Sequence, residues 1–133
     1  METHKVSKFS IFLNFCSSYP FGHYQFIIET KFKYNNEPEQ VKRRYTEFVE
    51  LYTLLSLERP TCILPSLPPK DVQATLQGKE SEVMRTRKNE LEKFLEMLVQ
   101  HQQFSQSKIL EDFLKDQSSE PFTVDKHRKE VEP

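Results

Sequence analysis

The sequence predicts an α+β domain: a three-stranded antiparallel sheet followed by a helical layer, with a proline-rich loop between helices. Three observations carry that prediction. Apolar residues alternate with period two through the first 45 positions, and from residue 46 onward they recur at three- and four-residue spacing. Four prolines between 59 and 70 then interrupt the helical pattern. Strands first and helices second is the order of a fold in which helices cover one face of one sheet.

In KVSKFSIFLNF (5–15), Phe9, Ile11, Leu13 and Phe15 occupy alternate positions, the pattern of a strand with one buried face. YPFG (19–22) supplies a turn. HYQFIIETKFK (23–33) resumes the alternation through Tyr24, Phe26, Ile28 and Phe32, and YNNEPE (34–39) is a polar connection. EQVKRRY (39–45) completes the meander as a third strand.

Thr46 is placed to cap a helix reaching about Leu57, whose apolar stripe is Phe48, Leu51, Tyr52 and Leu55. RPTCILPSLPPK (59–70) cannot continue it, because prolines remove amide donors and hold their neighbours extended. The longest helix is expected over 80–102, with Met84, Leu91, Phe94, Leu95 and Leu98 on one stripe. Ser105 or Ser107 caps a last short helix carrying Ile109, Leu110, Phe113 and Leu114. From Gln117 onward periodicity ends, and 117–133 is read as a flexible tail behind a domain of 1–116.

Composition narrows the function. A chain of 133 residues is one domain. With 19 Lys+Arg against 20 Asp+Glu it lacks the basic excess of a nucleic-acid binder. No apolar run reaches the ~18 residues of a membrane-spanning helix. METHKVSKF has no apolar signal core, so a cytoplasmic chain is expected. Cys16 and Cys62 stand apart, without a CxxC or Cys/His cluster, and are read as reduced thiols with no metal role. The four histidines are dispersed, and no Gly-rich phosphate loop, GxSxG or HExxH occurs. The reading is a non-catalytic module with no cofactor.

What remains is a set of cations. Arg87 lies within about 40° of the centre of its helix's apolar arc, at ~100° per residue, and an inward charge needs a counter-charge or a solvated cleft. The plainer reading is a snorkelling side chain or an ion pair with one of the 20 acids. Arg44 and Tyr45 stand where the third strand hands over to the first helix, and Lys70 closes the proline loop. By period two, Arg43 points to the other side of the strand and is read as structural or as a general attraction to anionic lipid.

RRYTEF, then a loop ending LPPK, then RKNELEKFL on a long helix resemble, in that order, the motifs of the phox-homology (PX) domain of sorting nexins. The resemblance covers about Lys5 to Lys115. It implies a peripheral membrane module that binds phosphoinositides, most often phosphatidylinositol 3-phosphate on early endosomes, in membrane trafficking. By the same resemblance, Arg44 grips the 3-phosphate and Tyr45 packs under the inositol ring. Lys70 reaches the 1-phosphate side, and Arg87, four residues before Leu91, holds the 4- and 5-hydroxyls.

The chemistry suits those roles: a guanidinium forks onto a phosphate as a lysine cannot, and an aromatic ring is a flat platform for a face of C–H groups. In the loop after Lys70, Val72 and Leu76 are either shallow membrane-insertion residues, as the resemblance implies, or ordinary packing. An alternative function uses Pro65-Ser66-Leu67-Pro68-Pro69-Lys70 as a PxxPx+ ligand for protein partners with a Src-homology-3 domain.

Overall fold

The computed structural model describes residues 5–16, 23–69, 80–116 and 121–131. Strands β1 (Val6–Cys16), β2 (His23–Phe32) and β3 (Glu39–Arg43) form an antiparallel sheet in the order β1-β2-β3. Ile11 stands opposite Ile28, which in turn stands opposite Val41. All three are buried, together with Phe26 and Phe32, so the inward face is the one the alternation predicts. The YPFG turn and the side chains of Leu13, Phe15 and Tyr24 lie outside the described residues.

Helices α1 (Tyr45–Glu58), α2 (Glu80–Gln100) and α3 (Lys108–Lys115) cover that face. Their stripes meet the sheet in one core: Phe48, Leu51, Leu54 and Leu55 from α1, Leu91, Phe94, Leu95 and Leu98 from α2, and Ile109, Leu110, Phe113 and Leu114 from α3. The fold class is the predicted one. On the outer strand, the Ile11 amide donates to Oε2 of Glu92 on α2 at 3.3 Å.

Three boundaries differ from the sequence reading. The third strand ends at Arg43, and Arg44, not Thr46, is the N-cap of α1. Glu47 explains the earlier start, because its Oε1 accepts the Arg44 amide at 2.7 Å and so supplies the cap from within the first turn. An arginine side chain has no acceptor, so no reciprocal side-chain bond forms. At the far end, Arg59 donates its amide to the Leu55 carbonyl, and Pro60 stops the helix. Helix α2 closes at Gln100, two residues short of the expected end.

Helix α3 is capped by Ser107, while Ser105 falls in a 3-10 turn, Phe104–Gln106. Ser107 Oγ accepts from the Leu110 amide at 3.3 Å and donates to Glu58 Oε1 at 2.7 Å. Ser107→Ala is expected to lower the unfolding free energy by about 1–2 kcal/mol. Urea titration measures it, and an unchanged midpoint would show that water replaces both bonds.

The largest departure is at the C-terminus, read as a flexible tail. Residues 121–131 are packed: a 3-10 turn, Asp125–His127, and a short α4 (Arg128–Val131) follow Phe122, which is 2% exposed. The Phe122 ring stands edge-on to Phe113 at 5.0 Å, and its amide donates to Oε2 of Glu47 at 2.9 Å. Burial of a full aromatic ring contributes roughly 1.5–3 kcal/mol, and it acts together with the Phe122 and Val124 amide bonds to Glu47 and Glu50 on a segment that has no periodicity of its own.

Candidate functional site: a cleft between the proline loop and the second helix

At the junction of β3 and α1 the chain passes from strand to helix through Arg44, whose backbone is extended (φ −90°, ψ 162°). Strand alternation therefore sends neighbouring arginines to opposite sides, Arg43 inward at 3% exposure and Arg44 out to solvent.

Arg43 is a structural hub. Its Nε and Nη2 donate to the Phe113 carbonyl at 2.9 and 2.7 Å, and Nη2 also reaches the Asp116 carbonyl at 2.9 Å. These carbonyls belong to the end of α3, where a helix leaves acceptors unsatisfied and its dipole is negative. Nη1 meets Glu47 Oε2 at 3.3 Å, and the guanidinium lies over the rings of Phe113 and Phe122. Burial pushes the Arg43 pKa below its ordinary value, and the Glu47 carboxylate opposes that shift.

Tyr45, the first residue of α1, is half-buried and donates its hydroxyl proton to the Pro68 carbonyl in the proline loop. Arg87, from α2, lies with Cζ 4.5 Å from the centroid of the Tyr45 ring. Its Nη2 donates to the Pro69 carbonyl at 3.2 Å. Arg87 is 6% exposed, yet no carboxylate pairs with it and its Nε has no hydrogen-bond partner among the described residues. Among the described residues, its contacts are the Tyr45 ring and the Pro69 carbonyl, not an ion pair. The fold brings together Tyr45, Arg87 and the two prolines that precede Lys70, with Arg44 next to Tyr45 in the chain. Lys70 itself, Val72 and Leu76 lie outside the described residues.

A cleft of about 300 Å³ opens here, lined by Pro68, Pro69, Val83, Thr86, Arg87, Glu82 and Glu90. The two glutamates were not singled out by the sequence reading. Their signal is helical spacing, since 82, 83, 86, 87 and 90 share one face of α2 with Arg87. Glu47 was also missed, although an acid three residues after a helix's N-cap is itself a capping signal. Its carboxylate accepts from the Arg44 amide, Arg43 Nη1 and the Phe122 amide.

The architecture and cleft define a small α+β module that presents buried and exposed guanidinium groups beside an aromatic ring. The sequence profile of the PX domain matches residues 32–117, and the chain belongs to that family. Sorting nexin-4 of Eremothecium gossypii is 45% identical over 74 residues, covering 56% of this chain and 18% of that protein. Sorting nexin-4 of Saccharomyces cerevisiae is 35% identical over 104 residues, covering 70% of this chain and 25% of that one. The chain thus spans a quarter or less of the length of these relatives.

Among solved structures, a designed CISK-PX domain superposes with a TM-score of 0.68 at 28% identity, covering 80% of this chain and 97% of that one. The mouse SNX19 PX domain, solved with a bound sulphate ion, shares the fold at a TM-score of 0.54 and 20% identity, covering 84% of this chain and 97% of that one.

Proposed function

We propose that this chain is a non-catalytic recruitment module that binds phosphatidylinositol 3-phosphate on the cytoplasmic face of early endosomes, in protein sorting. The observation that carries the reading is Arg87, a buried guanidinium stacked on Tyr45 without a carboxylate partner among the described residues. A buried cation held that way is costly until an anion or a set of polar ligand groups arrives. Family membership supplies the ligand class, and the names of the relatives supply the setting.

In this reading the exposed Arg44 forks onto the 3-phosphate, the Tyr45 ring packs under the inositol, and Lys70 meets the 1-phosphate. Arg87 donates to the 4- and 5-hydroxyls, and Val72 and Leu76 enter the lipid interface. No helix among the described residues is long and apolar enough to cross a membrane, so attachment comes through headgroup contacts and shallow insertion.

Glu82 and Glu90 support a monophosphorylated ring. A carboxylate beside Arg87 accepts hydrogen bonds from ring hydroxyls and repels a second phosphate of about −1.5 to −2 charge. The double substitution E82Q/E90Q is accordingly expected to narrow the preference for the 3-monophosphate over the 3,4- and 3,5-bisphosphates by about tenfold, or ~1.4 kcal/mol. An unchanged ratio would remove the two acids from the site.

Flotation of the wild-type chain with vesicles across a phosphoinositide panel tests the function itself. Equal binding to every anionic vesicle would sink it. The protein-docking reading of the proline loop finds no support, because Pro68 is buried and its carbonyl is engaged by Tyr45, whereas a Src-homology-3 ligand must offer its PxxP face to the partner.

A further inference from the structure

We infer that residues 121–131 are a positioning element of the lipid site, coupled to Arg44 through the Glu47 carboxylate, so that segment docking and headgroup binding reinforce each other. The inference rests on the lipid reading above.

Glu47 divides its oxygens between the two partners. Oε1 accepts from the Arg44 amide at 2.7 Å, and Oε2 accepts from the Phe122 amide at 2.9 Å and from Arg43 Nη1 at 3.3 Å. The two oxygens of one rigid carboxylate cannot move independently, so a displacement at Phe122 is passed to the backbone of the residue proposed to hold the phosphate. A second link runs in parallel. The Arg43 guanidinium lies over the Phe122 ring at 5.4 Å, and Arg43 precedes Arg44 in the chain.

Further anchors hold the segment against α1 and the end of α3. The Val124 amide donates to Glu50 Oε1 at 3.4 Å, and Lys126 Nζ lies 3.8 Å from Asp116 Oδ2. When the segment is docked, Glu47 is 8% exposed and its acceptors are directed at Arg43, Arg44 and Phe122. When it leaves, Phe122 no longer covers that carboxylate, and water competes for it with the Arg44 amide. The extended N-cap that aims Arg44 outward is then held less firmly.

Linkage fixes the form of the result. If docking raises headgroup affinity by some factor, headgroup binding raises docking by the same factor. None of residues 121–131 is assigned a ligand contact, so any effect of theirs on affinity is indirect, and the links that reach Arg44 run through Glu47 and Arg43.

The test uses the full 133-residue chain and water-soluble dibutanoyl phosphatidylinositol 3-phosphate. Phe122→Ala is expected to weaken binding about fivefold or more, within the usual range of coupling factors, and Phe122→Leu, which keeps an apolar plug, to restore most of it. In the wild type, saturating lipid is expected to slow hydrogen exchange of amides in 122–131 that open locally, by a factor matching the affinity lost in Phe122→Ala. A merely structural role would leave those local openings unmoved by ligand.

A wild type that fails to bind the lipid overturns the lipid reading and the inference with it. A wild type that binds, with segment exchange unchanged by ligand, or a folded Phe122→Ala of undiminished affinity, overturns the coupling alone. The exchange measurement needs no substitution, so it decides even if Phe122→Ala does not fold.

Discussion

Arg44→Ala is expected to lower affinity for vesicles carrying phosphatidylinositol 3-phosphate at least tenfold while leaving the melting temperature within about 2 °C. The first half follows from the chemistry of a guanidinium on a phosphate, where each charge-assisted hydrogen bond contributes about 1.5–3 kcal/mol, and ~1.4 kcal/mol is a factor of ten. The second half follows from where the side chain lies. Arg44 is exposed, and its contributions to the fold run through its amide on Glu47 and its carbonyl under the Glu47 amide. Alanine keeps both. Arg44→Lys should fall between the two, since it retains charge and loses the planar fork. Vesicle flotation paired with a thermal melt measures both quantities, and an Arg44→Ala protein that binds like the wild type would end the assignment.

Arg43→Ala should do the reverse. This guanidinium satisfies the carbonyls at the end of α3, pairs with Glu47 and is stacked on two rings. Its removal leaves a buried carboxylate short of a partner and helix-end acceptors without donors, a loss of about 3–5 kcal/mol. Equilibrium unfolding in urea is the measurement. A change below about 1 kcal/mol would show that water or a local rearrangement takes over the role. Lysine should not rescue it, because one ammonium cannot reach the Phe113 carbonyl, the Asp116 carbonyl and Glu47 from a single stem. Adjacent arginines are thus expected to separate cleanly, one governing binding and the other stability.

The opposite orientation of the two arginines was legible in the sequence, since period two sends consecutive strand residues to opposite sides. The same periodicity found the inward face through Ile11, Phe26, Ile28 and Phe32, because a half-buried strand writes its burial directly into its sequence. Helix α1 was visible, but its cap lies two residues earlier than expected. Thr46 has the chemistry of a cap, yet it sits inside the helix, and the amide that needs capping is reached by Glu47 from the first turn.

Phe122 was not legible, for a physical reason. Its segment is held by its amides on carboxylates 75 and 74 residues earlier in the chain, and by one ring inserted beside Phe113. Long-range bonds of that kind leave no local repeat to detect. Arg87 stood between a snorkelling side chain or an ion pair on one side and a cleft on the other, readings that differ in what lies within reach in three dimensions.

The bond between Ile11 and Glu92 bears on a different property, the chain's resistance to association with copies of itself. An open sheet has two rims, and each row of unpaired amides invites a strand from another molecule. Here one rim has a carboxylate fastened across it from α2, where an incoming backbone would need that amide. The other rim, β3, is five residues long and gives way at once to the extended N-cap Arg44 and helix α1. A protein meant to concentrate on a two-dimensional surface gains from such blunted rims, because crowding there raises the chance of every unwanted pairing.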